Sequence, residues 1–195
     1  MVVARAAVDL MPGDILAFSK KGLIGAVINL ATWGLPGWGA SHVAIIGRKD
    51  GQLVLWESLG MPNRPCLIQG KVVTGVQVQN IENRIQDYDG RVWHYPLCRP
   101  LDAEQLDRLD AFCVRYLGTD YDMLGAFRSR GLSLIEKLVF RPIDLTSVFC
   151  SEFCAAAHHY AGVTNGVGNA SRLNPNKYIR RERAAGILAK SRRKK

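Results

Sequence analysis

Cys150, His42 and Glu57 are the residues of this 195-residue chain whose types and placement could together do covalent chemistry. A thiol attacks a carbonyl as its thiolate, so it needs a base to take its proton, and the base needs a third group to hold its ring and tautomer. The stretch Val148-Phe149-Cys150-Ser151-Glu152-Phe153-Cys154 reads as the opening of a buried helix, with Thr146 or Ser147 as its N-cap and an end near Gly162. A cysteine at a helix N-terminus meets unpaired N–H groups and the positive end of the macrodipole, and both favour the thiolate. Its backbone N–H would then help to form an oxyanion hole. By residue type alone each member has a plain structural reading, a small buried hydrophobe for Cys150 and a core histidine for His42. The joint placement is what argues for catalysis.

The elements that must position these residues follow from periodicity. Ser41 to Gly47 and Gln52 to Ser58 read as two strands around the turn Lys49-Asp50-Gly51, so His42 opens one strand and Glu57 closes its antiparallel neighbour. Before them Pro12-Gly13-Asp14 is a turn into the strand Ile15-Leu16-Ala17-Phe18. After them come an alternating strand within 71–79, a helical turn at 81–88 and a strand at 91–97. Asp102 to Gln105 has capping-box character, and Leu106, Leu109, Cys113 and Leu117 recur at helical spacing up to Gly118. Another helix is expected beyond Tyr121-Asp122, and an amphipathic helix within 178–188. The pattern is α+β, with one domain over 1–175 and a basic extension over 176–195.

From Gly22 to Ala40 no residue is charged, a length close to the ~20 residues of a membrane span. Gly22, Gly25, Gly34, Pro36, Gly37 and Gly39 argue instead for a short apolar helix, Leu23 to Thr32, followed by a loop carrying Trp33 and Trp38. Lys and Arg number 26 against 17 Asp and Glu, a net charge of +9. From Arg172 to Lys195 ten positive charges face only Glu182, and the remaining body is balanced. Such an end reads either as a solvated tail or as a dock for an anionic partner, whether nucleic acid, anionic lipid or a larger assembly. Five cysteines without even spacing point to a reducing compartment. Cys150, Cys154 and His158 have helical spacing that zinc could use, but no second pair at ligand spacing accompanies them, so neither metal nor cofactor is expected. His94, Cys66, Cys98 and Cys113 read as structural.

Pro12-Gly13-Asp14-Ile15-Leu16, Ser41-His42-Val43-Ala44-Ile45, Glu57-Ser58, Gly118-Thr119-Asp120-Tyr121-Asp122 and Cys150-Ser151-Glu152-Phe153 together resemble, in that order, the circularly permuted branch of the NlpC papain-like superfamily. The resemblance spans about residues 11 to 175. It implies a small antiparallel sheet or half-barrel packed on helices, with the histidine strand ahead of the cysteine helix. It implies Cys150 as nucleophile, His42 as base and Glu57 as orienting acid. Tyr121, matching a motif tyrosine, is the expected substrate neighbour, together with Ser41 from the histidine motif and Trp38 from the apolar loop. The implied activity is a cysteine peptidase or amidase working through an acyl-enzyme on peptidoglycan peptide or amide bonds. The alternatives are a lipid acyl hydrolase or acyltransferase of the same fold, and an assembly protein with a vestigial site and a docking tail. The N-terminus has charges within its apolar run and no cleavage-site pattern. The expectation is therefore cytoplasmic synthesis without a signal peptide, with delivery in a phage particle or by lysis.

Overall fold

The computed structural model describes residues 9–20, 39–60, 62–119, 145–165 and 173–195, with only the helical backbone given for 145–149. The expected helix Leu23 to Thr32, Trp33, Trp38, Tyr121 and the helix beyond it lie outside these residues. Six strands form one antiparallel sheet: β1 Ile15–Lys20, β2 His42–Lys49, β3 Gln52–Leu59, β4 Gly75–Gln79, β5 Gly90–Tyr95 and β6 Arg192–Arg193. Their order is β4-β3-β2-β1-β5-β6. Among the described residues four helices accompany them: α1 Ile81–Gln86, α2 Ala103–Tyr116, α3 Leu145–Tyr160 and α4 Pro175–Ala184. The class is α+β, as the alternation and helical spacing predict.

The β2–β3 hairpin turns on Asp50 and Gly51, both with positive φ (51° and 78°), the backbone that a type I′ turn demands. This two-residue turn fixes Lys49 opposite Gln52 and Ile45 opposite Trp56. His42 near the start of β2 and Glu57 near the end of β3 therefore come to the same end of the hairpin. Side chains alternate between two buried faces. Ile15, Ala17, Val43, Ile45, Trp56 and Val78 meet Leu109, Cys113, Phe153 and Tyr178 on one side. Leu16, Phe18, Ala44, Ile46, Leu55 and Val92 meet Ile81 and Ile85 on the other. Burial on both faces explains why β1 reads as a continuous apolar run.

Local chemistry sets the helix ends. Asn80 and Asn174 accept from the N–H groups of Asn83 and Lys177, Asp102 and Gln105 complete the capping box, and Pro175 opens α4. After α3, Gly162 at φ 74° lets its own N–H reach the His159 carbonyl and the Val163 N–H reach that of His158, closing the helix. The helix ends two residues before the expected Gly162 and begins earlier than expected. Thr146 and Ser147 lie inside it rather than capping it.

Residues 176–195 are built into the same core as the body, and do not form a separate extension. Tyr178, Ile179 and Leu188 are buried in the cluster that holds Phe153 and Cys154. Asn176 exchanges two hydrogen bonds with the Ala40 backbone, at 2.8 and 3.2 Å. The chain then bridges Leu188 to Leu97 and adds β6 to β5. The positive charges dominate the composition of this segment, while Tyr178, Ile179 and Leu188 face inward. Among the described residues no helix is long and apolar enough to cross a membrane.

Deleting residues 176–195 should therefore abolish folding. It removes three buried apolar side chains worth roughly 2–5 kcal/mol each, against a total stability of about 5–15 kcal/mol. Thermal denaturation of the truncated chain should show no cooperative transition; a melting curve like that of the full chain would contradict this packing.

Candidate functional site

His42 and Glu57 meet as the hairpin requires. His42 Nε2 lies 2.8 Å from Glu57 Oε2, with the carboxylate fully buried and His42 only 8% exposed. Nε2 is thus committed to Glu57, and the Cys150 side chain is the other hydrogen-bond partner of the ring. Cys150 comes from α3, which packs on β2 and β3, and it too is fully buried.

The electrostatics follow from this geometry. Burial alone would lower the His42 pKa, but the negative charge of Cys150, hydrogen bonds to Cys150 and Glu57 and the Glu57 charge together raise it to about 9. Burial would raise the Glu57 pKa; it is nevertheless lowered, by the hydrogen bond from His42 and the positive charges of Arg84 and His42. A carboxylate on Glu57 beside an imidazolium on His42 is the charge arrangement these shifts favour. Burial pushes the thiols of Cys113 and Cys154 well above the ordinary range, which leaves them unreactive. Cys98 is exposed and Cys66 is buried, its sulfur 3.4 Å from the Val78 amide nitrogen.

Cys150 departs from expectation in one respect. It is the sixth residue of α3 and not at the helix start. The macrodipole acts mainly over the first turn, and an amide in the second turn is spent on the helix. The positive charge beside Cys150 is the imidazolium of His42 rather than the helix end, and the Cys150 N–H is a poor oxyanion donor.

Two residues that sequence reasoning missed complete the surroundings. Arg84, from α1, places Nε 3.0 Å from Glu57 Oε1 and 3.3 Å from Oε2, with Nη2 also 3.3 Å from Oε2. Its guanidinium carbon sits 4.7 Å from the Phe18 ring centre and 5.3 Å from that of Tyr88. Tyr88 takes a hydrogen bond with Ser41, and burial raises its pKa overall. Ser41 donates its hydroxyl to the Phe18 carbonyl at 3.0 Å, so this expected substrate neighbour lies beside the site with its donor in use within the fold. Tyr121 and Trp38 lie outside the described residues. A basic residue on a short helix, four positions before an aromatic one just past its end, was the available signal for Arg84 and Tyr88, and it is a weak one.

The remaining histidines hold structure. His158 spans from Gly13, whose carbonyl lies 2.8 Å from Nε2, to the Tyr178 hydroxyl, 2.9 Å from Nδ1. Burial lowers its pKa and keeps it neutral, so Nε2–H donates and Nδ1 accepts. Cys150, Cys154 and His158 therefore do not converge, and among the described residues no group of three or more His, Cys, Asp or Glu could hold a metal ion. His94 pairs with Asp14 at 2.7 Å, the Asp14 carboxylate also accepting from the Met11 and Leu97 amides.

Among solved structures, the chain is similar to the metalloprotein yiiX from Escherichia coli O157:H7, with 17% identity, a TM-score of 0.52, and coverage of 93% of this chain and 87% of that one. No family model and no curated protein matches the sequence. At this identity the likeness bears on the fold alone, an α+β arrangement around an antiparallel sheet.

The raised pKa of His42 has a pH signature. A group whose pKa rises on folding adds stability that is fully present below its unfolded value near 6.5 and is lost as pH rises through about 9. Native stability should fall across that window, and Glu57→Gln should move the His42 titration downward, since both the Glu57 hydrogen bond and its charge raise it. NMR titration of the ring together with chemical denaturation at pH 6 and pH 10 measures both. A Glu57→Gln titration unchanged from wild type would contradict the coupling.

Proposed function

We propose that the protein is a cysteine hydrolase or acyltransferase, in which His42 holds the proton of Cys150 and Glu57 holds His42. The observation that carries this reading is the shared ring: His42 Nε2 lies 2.8 Å from a buried carboxylate, and the same ring is hydrogen-bonded to the Cys150 side chain. Thiolate attack on an amide or ester carbonyl forms the tetrahedral adduct. His42 then donates its proton to the leaving amine or alcohol as the C–N or C–O bond breaks. The acyl-enzyme passes its acyl group to water or another acceptor, with His42 taking a proton from the incoming nucleophile.

The papain-like arrangement in its permuted order is part of the same proposal. The chain order of histidine strand, carboxylate strand and cysteine helix supports it, as does the resemblance over residues 11 to 175. On that resemblance the first substrate class is the peptide and amide bonds of peptidoglycan, with acyl lipids second. The structural neighbour is named a metalloprotein; in this chain a metal bound at His42 Nε2 would compete with Glu57.

Labelling with a thiol-directed activity probe tests the chemistry. Wild type should label at Cys150, Cys150→Ala should not, and His42→Ala should label and turn over about 100- to 10,000-fold more slowly. A chelator should leave labelling unchanged. Equal labelling of wild type and Cys150→Ala would end the proposal. Peptidoglycan fragments and acyl lipids, offered in parallel to the wild-type chain, then separate the two substrate classes by the product released.

A further inference from the structure

Glu57 is gripped from two sides by residues of different elements. His42, from β2, takes one lone pair of Oε2. Arg84, from α1, spans both oxygens with Nε and adds Nη2 to Oε2. A carboxylate held only by the histidine could rotate about its terminal bond and offer either oxygen, or neither. A guanidinium fork across both oxygens fixes the carboxylate plane. The fork is itself located, lying over Phe18 and beside Tyr88, with the Phe18 ring centre 5.5 Å from that of His42. The helix that carries it is tied at its far end, where Lys195 Nζ donates to the Gln86 and Tyr88 carbonyls at 2.6 Å.

We propose that Arg84 is a positioning residue for the His42–Cys150 pair, acting through Glu57 by presenting one fixed carboxylate oxygen to the ring. This inference rests on the cysteine hydrolase reading. It separates two contributions of Arg84: its charge, which a lysine would keep, and its fork, which a lysine would lose.

The test is the rate of Cys150 alkylation by iodoacetamide as a function of pH in the full chain, with the His42 titration followed by NMR. Arg84→Lys should slow alkylation at neutral pH on the order of 10- to 100-fold, the cost of misplacing a reacting group by about 1 Å. It should also lower the His42 titration. In a Glu57→Gln background the same change should alter the rate by no more than about twofold, because the partner through which it acts is gone. Arg84→Gln, read through the same cycle, replaces the lysine variant should that one not fold. An Arg84→Lys variant with the wild-type rate and titration would overturn the assignment, as would an undiminished effect in the Glu57→Gln background. If wild-type Cys150 is no more reactive than the exposed Cys98, the hydrolase reading itself falls and Arg84 with it. If Cys150 is reactive and Glu57→Gln slows it while the Arg84 variants do not, only the Arg84 assignment fails.

Discussion

A carboxylate taken wholly out of water must be surrounded by donors and opposite charge, or it will take up a proton instead. Glu57 is such a carboxylate, and much of the molecule's geometry is a response to it. The hairpin brings His42 to one side. The short helix after β4 brings Arg84 to the other, over an aromatic floor of Phe18 and Tyr88. The two partners come from different elements, a strand and a helix, so neither can shift without leaving a buried charge exposed to a poorer partner, a loss of about 3–5 kcal/mol in comparable buried pairs.

The end of the sheet is where this becomes possible. Within the sheet, alternation separates the two faces: α1 touches one set of side chains, while α2, α3 and α4 touch the other. At the first residue of β2 that separation stops. A helix from one layer supplies Cys150, and a helix from the other layer supplies Arg84, with His42 and Glu57 lying between them. The Tyr178–His158–Gly13 chain of hydrogen bonds joins α4 and α3 to the loop before β1. The helix that carries Cys150 is thus tied both to the C-terminal segment and to the start of the sheet.

The parts of this arrangement legible in the sequence were those governed by local rules. Asp50-Gly51 between two alternating runs specifies a hairpin and its register, and from the register the meeting of His42 and Glu57 follows. Asp102 and Gln105 specify a helix start because both side chains satisfy nearby amides. Other features depend on contacts that sequence distance conceals. Arg84 lies 27 residues from Glu57 along the chain, and nothing in its neighbours marks it as a buried ion-pair partner. The C-terminal segment misleads by composition. Most of its cations are exposed, and the three apolar residues that decide its placement are outnumbered. The start of α3 is not legible in the sequence because Thr146 and Ser147, good capping residues, also tolerate a helix interior.

The outer edge of the sheet has a further consequence. An unpaired strand edge offers a row of amides and carbonyls to any neighbouring chain. Here β5 does not face solvent along its whole length: β6 covers part of it, is only two residues long, and both are arginines. Lys194 and Lys195 continue the segment, their backbone bonded to Val92. A second molecule approaching this border would meet a short template and a cluster of like charge. The basic residues Arg192 to Lys195 therefore disfavour pairing of this edge with a copy of the same sheet.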